Sequence, residues 1–218
     1  MKSILDFLTH LRDNNNRTWF EEHKDWYISS KKIYERLIER LISEISQFDH
    51  TVGRPTVAEC VFRIYRDVRF SKEKLPYKTH MGAFIAGGGR KSEKAGYYIH
   101  IEPDNSLIGG GIYQPHPDNL KKLRNEIYFD SKTFKNIIED PDFKSRFSGL
   151  IGPKVTRNMK EYDPKVVDIE LLKYKNYFVE KTFSNEEVVS GNFEKDVIES
   201  CYKIYPMNRF LNRAFTGH

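Results

Sequence analysis

The stretch from Tyr97 to Tyr113 limits the folds open to this chain more than any other. Tyr97, Ile99 and Ile101 alternate with Tyr98, His100 and Glu102, the period of a strand with two unlike faces. Pro103-Asp104-Asn105-Ser106 is turn chemistry, and Leu107 to Tyr113 returns as a second strand. So short a connection predicts an antiparallel hairpin. Gly109-Gly110-Gly111 stands in the middle of the returning strand. Glycine weakens a strand, so three in a row imply the close approach of an aromatic ring, a crossing helix or a ligand, with packing the commoner cause.

Upstream the hydrophobic period is helical. Ser3, with Asp6 at the third helical position, fits an N-cap; Ile4, Leu8 and Leu11 then share a face, and Asn14-Asn15-Asn16 ends the helix. Thr18-Trp19-Phe20-Glu21 reads as a capping box, with Asn16 an equally good cap. Tyr27, Tyr34, Leu37, Ile38, Leu41, Ile45 and Phe48 carry the following long helix, against which Trp19, Phe20 and His23 are read as packing residues.

From Val57 the period changes to two. Phe62, Ile64 and Val68 share one face with Arg66; Val61, Arg63, Tyr65 and Asp67 share the other. Phe84 and Ile85 mark a strand before the glycine turn at Gly87-Gly88-Gly89. Helices are expected around Leu120 to Tyr128 and Phe134 to Ile138, and a strand from Leu171 to Phe183 with Lys173 and Lys175 on one face. Phe193, Val197, Cys201 and Ile204 form a last helical stripe, and Pro206 is placed to open a short final helix. No repeat or linker divides residues 1–218. The expectation is a single α+β domain: a central, mainly antiparallel sheet with long N-terminal helices and C-terminal helices packed on it.

Charge enters where partners are concerned. Lys and Arg number 36 against 31 Asp and Glu, which mildly favours anionic partners and equally describes a solvated lysine-rich surface. Cys60 and Cys201 lie far apart, so neither a disulfide framework nor a zinc ribbon is expected, and a reducing cytoplasm is the expected compartment. The start, Met1 to Asp6, reads as neither signal peptide nor anchor, and no apolar run reaches ~18 residues, so no membrane partner is expected. Gly87-Gly88-Gly89-Arg90-Lys91-Ser92 lacks the spacing of a phosphate-binding loop, because Arg90 precedes Lys91 and no glycine lies five residues before Gly89. With no dinucleotide, zincin or nucleophile-elbow motif either, no cofactor is expected.

The stretch from Arg63 to Lys78 sets local rules against each other, since a surface loop has no need of Phe70 and a buried strand has none of three arginines. Two readings stand. Arg63 and Asp67 pair with each other or with acids such as Glu59 and Glu102, in a purely structural network. Alternatively Arg63, Arg66, Arg69, Lys72, Lys74, Tyr77 and Lys78 bind a small anionic or phosphorylated ligand, for which arginine's planar fork is suited. In a strand Arg63 and Arg66 point to opposite faces, so the segment is read as a strand end followed by a basic loop that Pro76 stiffens and Phe70 and Tyr77 pin. An enzyme, a hydrolase or transferase, would take His100 or Glu102 as general base with Asp67 as its partner. Nucleic-acid binding, drawing on Phe70, Tyr77, Tyr97 and Tyr98, is the weakest reading, because acids stand among the cations. His80, His100 and Glu102 make a two-histidine, one-carboxylate metal set only if their strands are neighbours; the sequence by itself predicts no metal.

The same stretch carries a family pattern. Arg63-x-x-Arg66-Asp67-x-Arg69-Phe70 with Lys74-x-x-Tyr77 resembles the signature of a bacterial conserved hypothetical family, a domain of unknown function of about this length. Phe7-Leu8, Asn14-Asn15-Asn16-Arg17-x-Trp19-Phe20, His23-Lys24, Tyr27 and Gly96-Tyr97-Tyr98-Ile99-His100 extend the resemblance over nearly the whole chain. Glu73 departs from it, standing where the family usually has Asp or Asn. The resemblance implies one single-domain type and no activity.

Overall fold

The computed structural model describes residues 1–67 and 74–216. Val68, Arg69, Phe70, Ser71, Lys72 and Glu73 lie outside them, so the placing of Phe70 as a pin and of Arg69 and Lys72 as ligands falls on undescribed residues.

Four strands form a meander in sequence order, antiparallel at every junction: β1 (Met81–Ile85), β2 (Gly96–Ile101), β3 (Ser106–Ile112) and β4 (Tyr177–Phe183). β2 and β3 are the expected hairpin. Helices α1 (Lys2–Asp13), α2 (Arg17–Glu22), α3 (Lys24–Phe48) and α4 (Val57–Cys60) precede the sheet. Between β3 and β4 lie α5 (Pro117–Phe129), α6 (Ser131–Glu139), α7 (Pro141–Arg146) and α8 (Ile169–Leu172), and α9 (Asn185–Val189) and α10 (Phe193–Asn212) follow β4. The α+β organisation is as the sequence predicts.

Alternation gives the sheet two faces of different character. Ala83, Ile99 and Ile108 stand in register on one, with Ile85, Tyr97, Gly110 and Val179 in the next row. This face is buried under α3 and α10. Two tyrosines tie α3 and its C-terminus to β2: Tyr34 donates to the Ile99 carbonyl (2.9 Å), and Tyr97 to the buried Asp49 carboxylate (2.8 Å). The glycine triplet is packing. The Phe178 ring fills the place of a side chain at Gly109, and Ile204 of α10 that of one at Gly110.

Several local expectations give way to specific contacts. α1 begins two residues earlier than a Ser3 cap would set, because the Ser3 hydroxyl serves α3, accepting from Trp26 Nε1 at 3.3 Å. Asn16, not Thr18, caps α2, its Oδ1 accepting the Trp19 N–H at 2.9 Å. The helical run then breaks at His23, whose ring stacks on Trp19 at 4.1 Å. Val57 opens a helical turn and no strand, since the Glu59 carboxylate reaches back to the Thr56 N–H (2.7 Å) and hydroxyl (2.8 Å). Asp168 caps another short turn where a strand from Leu171 was expected; β4 starts only at Tyr177. Pro206 opens no new helix: it is exposed inside α10, on the side of Tyr202, where water can satisfy the freed carbonyl.

The 61–66 arm, read from its period as a strand, makes only two isolated bridges among the described residues, Val61 with Ala83 and Tyr65 with Tyr77, with a bend at Ile64 between them. Phe62 N–H donates to the Gly82 carbonyl, joining it to β1, while Lys78 N–H to Ile64 O and Arg66 N–H to Pro76 O fold 76–78 back along it. Ile64 is buried, and Arg63, Tyr65 and Asp67 are exposed. Tyr77 pins the returning strand, its ring stacked on Phe20 at 3.9 Å and 12°. The Asn15 side chain clamps the backbone of Tyr77, accepting its N–H at 3.1 Å and donating to its carbonyl at 3.0 Å. Asn15→Ala leaves both groups without a protein partner, and a loss of about 1–3 kcal/mol in urea unfolding is expected. A loss within about 0.3 kcal/mol of zero would show that water replaces the clamp.

Candidate functional site

The second face of the sheet is the polar one. Phe84, Tyr98, Gly109 and Glu180 stand in register across it, with Gly82, His100, Leu107 and Thr182 in the adjacent row. Over this face opens a cavity of about 660 Å³. Phe62, Phe84, Tyr98 and Phe178 give it aromatic walls. Lys78 and Arg90 lie along its β1 side, and Glu180 belongs to the strand at the opposite edge of the sheet. Glu93 and Lys94 of the β1–β2 connection line the cavity too, so both signs of charge reach it. Lys78 and Arg90 also line an adjoining groove that holds Arg63, Lys31 and Lys91.

Lys78 is the cation whose position asks for a partner. It is half-buried, its Nζ lies 5.4 Å from the Phe62 ring centroid, and among the described residues no carboxylate pairs with it. Burial, then the like charges of Arg63 and Arg66, push its ammonium below the ordinary value of 10.5.

Behind Lys78 runs a hydrogen-bonded row along β2 and the residue that follows it. The Tyr98 hydroxyl lies 2.8 Å from His100 Nδ1, and His100 Nε2 lies 3.1 Å from Glu102 Oε2. A carboxylate can only accept, so Nε2 carries the proton and Nδ1 accepts from the phenol. Burial, with Glu102 nearby, pushes the Tyr98 phenol up to about 12, which keeps it a donor. Burial lowers His100 against the pull of Glu102, and burial, the neighbouring His100 and the cations Lys78 and Arg66 lower His80 to about 4. Burial alone would raise Glu102, but hydrogen bonds from Asn105, His100 and Thr79 outweigh it and hold the carboxyl below its ordinary range. The two imidazoles stack at 4.3 Å. The condition the sequence set for His80, His100 and Glu102 is met: one ligating atom from each lies within 4.8 Å of the others.

The cationic stretch, by contrast, is divided. Lys78 faces the cavity, Arg63 the adjoining groove, and Arg66 and Tyr77 a separate depression with Arg17 and Glu21. Lys74 and Asp67 are exposed and each has an interaction partner; Asp67 does not line the cavity that His100 lines. Tyr97 is wholly buried and Tyr77 nearly so, which removes two of the aromatics that a nucleic acid would need to stack on. Arg90, Phe178 and Glu180 enter the site unannounced. Only the sheet register, invisible in a local pattern, brings them to it. Tyr98 was legible, since period two places it beside His100 and Glu102.

An α+β protein with one helix-covered sheet face and one open, cavity-bearing face is the class these observations define. The chain belongs to the family described as Conserved hypothetical protein (DUF2461), whose model matches residues 3–210. No curated protein and no solved structure matches it. Among the described residues no helix is long and apolar enough to cross a membrane.

Proposed function

We propose that the protein binds a small anion with a flat apolar part, anionic group toward Lys78 and Arg90 and ring between the aromatic walls. The carrying observation is Lys78, a half-buried ammonium at a cavity wall with no acid beside it among the described residues. Such a charge forgoes solvation, and a bound carboxylate or phosphate would supply a charge-assisted hydrogen bond of about 1.5–3 kcal/mol. Phe62, Phe84, Tyr98 and Phe178 add apolar surface that inorganic phosphate cannot use. This shifts the anion site of the Arg63–Lys78 segment toward its C-terminal end, with Arg63 reaching it only through the adjoining groove. Two buried, unpaired thiols, Cys60 and Cys201, support a reducing cytoplasm as the place where that ligand is met.

Phenyl phosphate is a suitable probe, with inorganic phosphate and phenol as its two halves. Calorimetry or chemical-shift titration is expected to show saturable binding of phenyl phosphate, tighter than either half. Lys78→Met should weaken it by about tenfold or more, because a charged hydrogen bond is lost while the stem's apolar contact is kept. Equal binding by the folded Lys78→Met variant would sink the proposal.

A further inference from the structure

We propose that His80, His100 and Glu102 form a divalent transition-metal site at the end of the cavity, of the two-histidine, one-carboxylate kind with coordination positions left open. The residues come from the adjoining ends of two neighbouring strands, His80 just before β1, and His100 and Glu102 at the end of β2 and just after it. Their ligating atoms lie within 4.8 Å of one another. β1 and β2 pair Met81 with Ile101 and Gly82 with His100, so His80 and Glu102 flank the last pair of that antiparallel ladder. The alternation then sets His80, His100 and Glu102 on one face.

What distinguishes this from a chance cluster is its support. A ligating histidine ordinarily uses its other nitrogen in a hydrogen bond that fixes ring and tautomer. His100 has this arrangement: Nδ1 is held by Tyr98 at 2.8 Å, and Nε2 is the nitrogen turned toward Glu102. Glu102 is oriented in turn, Thr79 donating to Oε1 at 2.9 Å and the Asn105 amide to Oε2 at 2.9 Å. His80 completes the set with ring nitrogens that make no hydrogen bond to any described residue, and its ring is braced against His100. An ion entering between them binds the lone pair of the other neutral tautomer: the proton on His100 Nε2 passes to Nδ1, which then donates to the Tyr98 oxygen.

The donor set selects the ion. Two imidazoles and one carboxylate suit zinc, ferrous iron, cobalt or manganese, whereas magnesium and calcium require mainly oxygen ligands. The charges of Lys78, which lines the cavity, and of Arg66 both reach His80, and they oppose ions held by electrostatics alone. His80 and His100 line the cavity together with Lys78, so an anion bound there would lie between the metal and Lys78. The inference does not require that anion, because the metal alone is the probe.

Protein stripped with a chelator and titrated with Co²⁺ is expected to take one ion per chain and develop visible ligand-field bands, and Zn²⁺ should displace the cobalt. His80→Ala should lower the affinity at least ~100-fold; it has no hydrogen bond to a described residue to lose, so it should fold. Tyr98→Phe should keep the stoichiometry and lose about 10- to 100-fold in affinity, the effect of removing a group that orients a ligand. Absence of stoichiometric binding, or binding that His80→Ala leaves intact, would overturn the site. Either result leaves the phenyl phosphate measurement on Lys78 standing by itself.

Discussion

Gly111→Ala is expected to prevent folding. Gly111 sits in β3 with φ +112°, a backbone conformation that an L side chain rarely adopts. The added methyl would overlap the Tyr177 carbonyl oxygen and meet the Phe178 Cα at 3.0 Å, both main-chain atoms of the paired strand β4. A side chain could rotate away, but a ladder partner cannot without breaking the pairing that carries Phe178 and Glu180 to the cavity. The combined penalty should exceed about 4–5 kcal/mol, the range reserved for a few mechanisms of which this is one. Against a total stability of about 5–15 kcal/mol, that removes most or all of the native population. Gly149→Ala isolates the dihedral cost: φ is +116°, but nothing lies within 4 Å of the new methyl. Its loss should be about 1–3 kcal/mol. Circular dichroism and urea unfolding of both variants check the ranking, and equal losses would show that overlap with β4 contributes nothing.

Legibility followed the range of each interaction. The β2–β3 hairpin was readable because its alternation and turn residues are contiguous, and the glycine triplet because crowding leaves a compositional trace even when its cause, Phe178 or Ile204, is distant. The Val57 turn was missed, although Thr56 and Glu59 have the capping spacing, because the apolar pattern that follows reads as strand. The cationic density of 63–78 drew the site toward the loop. The cavity is instead assembled from Lys78 and His80 before β1, Tyr98 and His100 on β2, and Phe178 and Glu180 on β4. That convergence depends on a register of four strands, which no single stretch of sequence encodes. Tyr98, His100 and Glu102 could be grouped from one strand; His80 joins them only once β1 is paired.

Stability should fall steeply above about pH 10, and buried phenols are the reason. Burial holds Tyr34, Tyr97 and Tyr177 well above the ordinary tyrosine value of 10.0, with the Asp49 carboxylate adding to the shift at Tyr97. A group whose folded value is raised contributes stability that is present below its unfolded value and lost as pH rises beyond it. In the window above pH 10 the unfolded chain releases these three phenolic protons while the native state retains them, so stability drops by about 4 kcal/mol per pH unit from these groups. Tyr27 and Tyr98, pushed up to about 12 by burial, add to the loss. Buried Cys201, also raised, starts the decline nearer its ordinary 9.0. With total stability of about 5–15 kcal/mol, unfolding is expected within about one to four units above pH 10. Tyr34→Phe is the discriminating variant. It gives up one hydrogen bond, to the Ile99 carbonyl, and costs about 1 kcal/mol at neutral pH. It also removes one of the three titrations, so the alkaline slope should flatten by about 1.4 kcal/mol per pH unit. Lysine deprotonation is common to both proteins and cancels in the comparison. Urea unfolding at constant ionic strength between pH 8 and 12 measures both slopes, and identical slopes would show that Tyr34 ionises as readily in the folded chain as in the unfolded one.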